Sequence, residues 1–300
     1  MNDLAIFGNT PLFKEALHVG RPNTVDNDLL LKRLKKILSS GWLTNQGPMV
    51  NEFEETVKNY LKVRNFISLS NGTTALEIAV KALCLKDEVI VPSFTFAAIP
   101  HVLKWLGIEP VFADIDRDTL NINPKSIEKY ITSKTTGIIG VHTWGRICDV
   151  EKIDLLANEY NLKVIYDSSH SFSLESNGVK TGNFGDIETF SFHATKFISS
   201  FEGGAICTND DEIANKVRLM KNFGFAGMDN VTMVGINGKM SEVSAAMGLT
   251  AFECMEDIRA INKKNYNLYK KRLSDIGWLT LMEFDHESNP NYQYITVEVN

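Results

Sequence analysis

Ser70-Asn-Gly-Thr-Thr-Ala-Leu76 joins the apolar run Phe66–Leu69 to the helically spaced stretch Thr73–Cys84. A short apolar run, a glycine-containing turn and then apolar residues at helical spacing read as a strand that feeds a helix. The same alternation recurs down the chain. Candidate buried strands are Phe66–Leu69, Val89–Val91, Pro110–Ala113, Gly137–Val141, Val164–Tyr166, Thr189–Phe192 and Gly204–Thr208. Helix-like stretches lie between them at Thr73–Cys84, Ala97–Leu106, Pro124–Ile131, Val150–Tyr160 and Asp211–Asn222. Strands and helices that take turns in this way cover both faces of one sheet, so the sequence predicts an α/β fold on a mostly parallel, seven-stranded sheet.

Farther on, Met240 to about Leu273 reads as one long helix leaving the large domain, and Gln293–Val299 as a strand. No further helix follows that strand to cover it. The expected organisation is a large domain over residues 1–252, including the N-terminal segment, and the start of a small C-terminal domain over 253–300 that looks incomplete.

Composition narrows the function classes. The chain has 300 residues, 44% hydrophobic and 23% charged, which are ordinary globular values. Its net charge of −6 comes without an extended Lys/Arg cluster, so neither a nucleic-acid footprint nor a polybasic membrane patch is expected. Cys84, Cys148, Cys207 and Cys254 are far apart and lack CxxC spacing, which suits reduced thiols and no metal site. The first ten residues carry Asp3 and no continuous apolar run, so no signal peptide or membrane anchor is read there, and a cytoplasmic location is expected.

Three places could carry chemistry. Gly72 permits close backbone approach, and the N–H groups of Thr73 and Thr74 at a helix start suit a phosphate, although an ordinary strand-to-helix turn with a hydroxyl cap reads equally from these residues. Asp167 follows the apolar strand Val164–Tyr166, at the strand edge where open α/β sheets bind ligands; a turn or cap aspartate is the alternative. Lys196 ends Ser191-Phe-His-Ala-Thr-Lys196 between two strands, where a lone lysine would ordinarily be a solvated surface charge.

Taken together, these motifs resemble the DegT/DnrJ/EryC1/StrS family of sugar aminotransferases that use pyridoxal phosphate (PLP). The resemblance spans nearly the whole chain, through Gly41-Trp-Leu-Thr-Asn-Gln-Gly-Pro48, Ser70–Leu76, Pro92-Ser-Phe-Thr-Phe96, Pro110–Asp116, Asp167–His170, Gly185-Asp186, Ser191–Lys196, Glu202-Gly-Gly204 and Gly235-Ile-Asn-Gly-Lys-Met-Ser-Glu242. It implies the aspartate-aminotransferase fold (PLP fold type I) and a homodimer with shared active sites. Lys196 would be the Schiff-base lysine and Asp167 the partner of the pyridine nitrogen. Gly72, Thr73, Thr74 and Ser191 would hold the phosphate, Phe96 would stack on the ring, and His170 would lie near the phenolic oxygen. Read without the family, Phe96 could equally be core packing after a strand, and His170 a histidine satisfied within the domain.

The resemblance also places Asn237 at the phosphate of the neighbouring subunit's cofactor, and Trp42 and Thr44 in a segment that commonly lines the sugar-nucleotide pocket, where a buried Trp beside a turn is the other reading. Lys239 stands where arginine is more common, which puts a bidentate anion contact there in doubt. The implied reaction moves an amino group from an amino acid, L-glutamate, through pyridoxamine phosphate to a nucleotide-linked keto-sugar, at C4 of a 4-keto-6-deoxyhexose. Two other readings are a PLP- or pyridoxamine-dependent sugar dehydratase, which would carry His where Lys196 stands, and a non-catalytic relative, against which Lys196, Asp167, Ser191 and Asn237 stand together.

Overall fold

The computed structural model describes residues 5–18 and 20–299; Asp3 and the outer limits, 1 and 300, of the two expected domains lie outside them. Two helices precede the first strand, α1 (Asn27–Ser40) and α2 (Pro48–Leu61). Neither figures among the helix-like stretches read from sequence. The signals for α1 are present all the same: the Asp26 carboxylate accepts the Leu29 N–H at 3.0 Å, and Gly41 closes the helix at a φ of 71°, a left-handed stop that glycine adopts freely.

Strands and helices then alternate: β1 (Asn65–Leu69), α3 (Gly72–Ala82), β2 (Glu88–Pro92), α4 (Ala98–Trp105), β3 (Glu109–Ala113), α5 (Pro124–Tyr130), β4 (Thr135–Val141), α6 (Val150–Tyr160) and β5 (Lys163–Asp167). A small hairpin, β6 (Glu175–Ser176) and β7 (Val179–Lys180), precedes β8 (Ile187–Ser191), β9 (Gly204–Thr208) and α7 (Asp211–Met220). The sheet order is β1-β9-β8-β5-β4-β2-β3, so each of the seven candidate buried strands takes its place in one seven-stranded sheet. Pairing is parallel from β8 through to β3, and β9 is antiparallel to both of its neighbours. Two antiparallel steps bring β1 back parallel to β8. The carboxyl ends of six strands therefore open on the same edge, and the residues that follow β1, β2, β4, β5 and β8 line the site there.

Both faces are covered. On one, α3, α4 and α7 bury Leu76, Val80, Leu103 and Val217 against Ile67, Ile165 and Ile206. On the other, α2 and α8 (Glu242–Glu253) pack on an aromatic nucleus in which Phe53 meets Phe66 and Phe192 edge to face, with centroids 5.7 and 5.5 Å apart. Gly248 admits this approach, since a Cβ there would stand 2.9 Å from the Phe53 ring.

The long helix expected from Met240 to Leu273 is instead two, α8 and α9 (Met255–Leu273), interrupted at Cys254. The reason lies in their surroundings. Helix α8 is buried from Ala245 to Ala251, whereas α9 buries only Met255, Ile258, Arg259 and Tyr266, so the break falls where the chain leaves the core. The strand expected over Gln293–Val299 shrinks to β11 (Val297–Val299), which pairs antiparallel with β10 (Leu279–Leu281). Side-chain amides of Asn291 and Gln293 bind other loops of the fold, and no ladder forms there.

Glu242 ties α8 to α2. Gly47 caps α2 without a side chain, and the Glu242 carboxylate does that work from a distance. It accepts the N–H groups of Gly47, Met49 and Val50 at 2.9, 2.8 and 3.2 Å while wholly buried. Glu242→Ala strands three buried donors and is expected to lower unfolding free energy by about 3 kcal/mol or more in denaturant titration. Glu242→Gln keeps one acceptor oxygen and is expected to lose less.

Candidate active site

The strand ends that share one edge surround a cavity of about 600 Å³, a size that suits a cofactor together with a small substrate. At its β1 side, Asn71 caps α3 by accepting the Thr74 N–H at 2.8 Å. Gly72 and Thr73 are left on the cavity wall, whereas Thr74 stands behind it with its methyl group against Gly238. The expectation that Thr74 offers a free N–H is therefore corrected: Asn71 already takes it. Gly72 lies so close to the end of β8 that a Cβ there would be 3.0 Å from Ser191 Cβ, and the Ser191 side chain faces the same wall.

The loop after β8 brings Lys196 back over the cavity. Its N–H donates to His193 O at 2.8 Å, closing a tight turn. The ammonium makes no hydrogen bond or ion pair among the described residues. Burial lowers the proton affinity of this amine, and the facing Asp167 opposes that shift without cancelling it. A partly desolvated amine with no protein partner is poised as a nucleophile and base.

Asp167 ends β5, buried and fixed by its own turn: Oδ1 accepts the Ser169 N–H at 2.9 Å, and its carbonyl accepts the His142 N–H at 3.1 Å. Ser168 fastens that turn from behind by donating its hydroxyl to Glu188, a wholly buried carboxylate that also accepts the Phe184 N–H at 2.7 Å. His170 follows on the cavity wall, where Nδ1 accepts the Trp144 N–H at 3.3 Å. Burial, then the charge of Lys196, pushes His170 down to about 3, so its imidazole is neutral.

Aromatic groups complete the walls. Phe96 is 76% exposed and opens on the cavity, so its place is not the hydrophobic core. Phe94 meets Trp144 edge to face at 5.2 Å, and Trp144 itself sits at a φ of 49° in the sharp turn after β4. Thr95 Oγ1, on the same wall, is buried and finds no hydrogen-bond partner among the described residues.

Seven residues expected from sequence thus meet in one cavity: Gly72, Thr73, Phe96, Asp167, His170, Ser191 and Lys196. Five others do not line it within this chain, Thr74 behind the wall among them. Asn237 bridges to Asn222; Lys239 donates to Asn222 Oδ1 at 2.9 Å and lies over Phe223. Trp42 is 52% exposed, not buried, with its indole N–H on Asn45 O, and the Thr44 carbonyl accepts the Glu242 N–H. Thr95, Trp144, Glu202 and Tyr294 line the cavity without having been singled out. Thr95 and Glu202 lay inside quoted motifs, but nothing in the sequence near Tyr294 marks it.

Glu188 gives the site a pH-dependent foundation. Burial pushes its carboxyl up to about 7 and holds the neighbouring His142, 3.9 Å away, down to about 3. Between pH 4.5 and 7 the folded chain keeps a proton on Glu188 that the unfolded chain has lost, so this group's contribution to stability falls as pH rises through that window. His142 acts oppositely between pH 3 and 6.5, where the unfolded chain binds the extra proton. Glu188→Gln removes only the first effect. Its melting temperature relative to wild type is expected to rise from pH 5 to pH 8, and a pH-independent difference would refute this account.

Residues 25–300 match the DegT/DnrJ/EryC1/StrS aminotransferase family. The dTDP-4-amino-4,6-dideoxy-D-glucose transaminase of Shigella dysenteriae is 38% identical over 286 residues, covering 95% of this chain and 78% of that protein. The GDP-perosamine synthase of Vibrio cholerae is 33% identical over 87% of this chain and 71% of its own length. Among solved structures, DesI, crystallised in the presence of its TDP-sugar product, superposes with a TM-score of 0.94 at 41% identity, over all of this chain and 76% of DesI.

Proposed function

This chain belongs to the DegT/DnrJ/EryC1/StrS aminotransferase family, and from that membership we propose that it transfers an amino group from L-glutamate to C4 of a nucleotide-linked 4-keto-6-deoxy sugar, with PLP as its cofactor, in the cytoplasm. The observation that carries the reading is the convergence of Lys196 and Asp167 on a cavity that is also lined by a helix N-terminus with Ser191 beside it.

These side chains fit the cofactor. Gly72 and Thr73 at the start of α3, with Ser191, form a cradle that a Cβ at Gly72 would close, and they suit its phosphate. The Thr95 hydroxyl, which has no partner among the described residues, adds a donor on the same cavity. Asp167 would raise the proton affinity of the pyridine nitrogen, Phe96 would cover a ring face, and Lys196 would hold the group covalently. When bound, PLP supplies an electron sink that carries nitrogen between the two substrates.

The chain's own residues do the rest. Lys196, once its amine is free, is the base that takes a proton from the amine-bearing carbon of the donor and returns one to the acceptor sugar. His170 presents a neutral imidazole to the same space, and the fixed Asp167 turn keeps the carboxylate aimed at it.

Asn237 lies away from this cavity, and the segment before it exposes Phe223, Phe225, Met228, Val231, Val234 and Ile236. An apolar strip of that extent suits a partner. A homodimer in which each subunit sends Asn237, Lys239 and the Trp42–Thr44 segment toward its neighbour's cavity accounts for both features.

Borohydride reduction of the PLP-loaded protein is expected to fix the cofactor on Lys196, and Lys196→Ala to lose both the label and amino transfer; a label on another lysine would overturn the assignment. Glutamate with 4-keto-6-deoxy and 3-keto-6-deoxy sugars on dTDP, UDP and GDP should yield an amino sugar by mass spectrometry from the C4 set. Mixing Lys196→Ala with Asn237→Ala subunits should restore activity in mixed dimers, since one site then holds both intact residues. No gain on mixing would mean that Asn237 serves its own subunit.

A further inference from the structure

The segment Asn289–Tyr294 crosses the two loops that carry the site. Arg259 on α9 anchors its start, donating from Nη1 to Asn289 O and Pro290 O at 2.8 and 3.1 Å and from Nη2 to Ser173 Oγ at 2.8 Å. Asn291 Nδ2 then donates to the carbonyls of His170 and Phe172 at 3.2 and 3.3 Å, in the loop after β5. Gln293 Nε2 donates at 3.0 Å to the carbonyl of Thr195, the residue before Lys196. Between these ties and the cavity stands Tyr294, whose ring centroid lies 4.6 Å from that of His170 with the planes inclined by 58°.

The His170 ring is held on two sides. Because Nδ1 accepts the Trp144 N–H, a neutral imidazole must carry its proton on Nε2. Tyr294 covers a side of the ring and shares in excluding water from it. The charged or titratable groups on the surrounding walls are Lys196 and Asp167, with His193 and Glu202 on the same cavity. The Tyr294 hydroxyl makes no hydrogen bond among the described residues. Burial, then the charge of Asp167, raises it to about 12, so it stays un-ionised.

We propose that Tyr294 is a positioning residue for His170: its ring, held by the Asn291 and Gln293 ties, keeps the imidazole dry and in the Nε2–H form, so that the cavity meets a neutral hydrogen-bond donor and not a cation. A neutral donor can approach an oxyanion without adding a positive charge beside Lys196, which would otherwise oppose protonation of that amine. The use of this donor toward PLP rests on the aminotransferase reading. The tautomer, and its dependence on Tyr294, do not.

Long-range proton–nitrogen NMR of the cofactor-free protein reads both, with the His170 signals assigned by their loss in His170→Gln. Wild type and Tyr294→Phe are expected to show a pyridine-like Nδ1, a pyrrole-like Nε2 and no protonation down to pH 5. In Tyr294→Ala the imidazole is expected to titrate between pH 5 and 7. Gln293→Ala, which releases the segment without removing the ring, is the second variant and should move the titration the same way by less. Unchanged His170 signals in the folded variants overturn the proposal. PLP titration separates the two readings: wild type that takes up no PLP sinks the aminotransferase assignment, whereas about tenfold weaker uptake by Tyr294→Ala, beside normal uptake by Tyr294→Phe, supports the role of the ring.

Discussion

The arrangement of the site depends on how closely β9 approaches the turn after β1. Gly204, the first residue of β9, lies where a Cβ would be 2.4 Å from the backbone of Asn71, closer than any side chain allows. Because β9 runs antiparallel between β1 and β8, that contact sets the α3 N-terminus directly beside the end of β8. Gly72 and Ser191 then meet so closely that a Cβ on Gly72 would stand 3.0 Å from Ser191 Cβ. One absent side chain on an inserted strand thus joins a turn at residue 71 to a loop that begins some 120 residues later.

The electrostatics of the cavity follow from its dryness. Lys196 and His170 both hold protons more weakly than in water, and in each case burial is the largest cause. Asp167 partly restores the affinity of Lys196, while Lys196 further depresses His170. One cation, one carboxylate and one neutral imidazole can share a small space only with their positions fixed. The fixing is done by backbone: Ser169 N–H on Asp167, Trp144 N–H on His170 and the His193 carbonyl under Lys196. Beneath Asp167, the bond from Ser168 to Glu188 carries this rigidity into the sheet itself.

The two faces of the sheet divide the work. The aliphatic face under α3, α4 and α7 holds the α3 N-terminus against the strand edge. The aromatic face, where α2 and α8 meet Phe53 and Phe192, supports the loop from Phe192 to Ile198 that carries Lys196. Glu242 binds these two helices together through three backbone donors, Gly47 at the cap of α2 and Met49 and Val50 in its first turn. The segment from Asn289 to Tyr294 then ties the loops after β5 and β8 to each other across the cavity.

The seven strands, their sheet, five of the helices and the positions of Gly72 and Asp167 were legible from local pattern: apolar runs of strand length, apolar residues at helical spacing, and a glycine or carboxylate at a strand's carboxyl end. Ser191 and Lys196 were legible only through the family resemblance, since a lone lysine between strands reads locally as a surface charge. The break at Cys254 was not, since α8 and α9 form one continuous helical pattern and differ only in what surrounds them. Thr74 could not be told from Thr73 until Asn71 was seen to take its N–H. Tyr294 was invisible for a stronger reason. It belongs to the cavity through side-chain bonds spanning 98 to 121 residues of sequence, a distance over which no periodicity carries information. The sequence by itself determined the strands, the helices and the motifs that mark the family; long-range contact alone decided which groups face one another, because burial and approach are properties of residues brought together, not of neighbours along the chain.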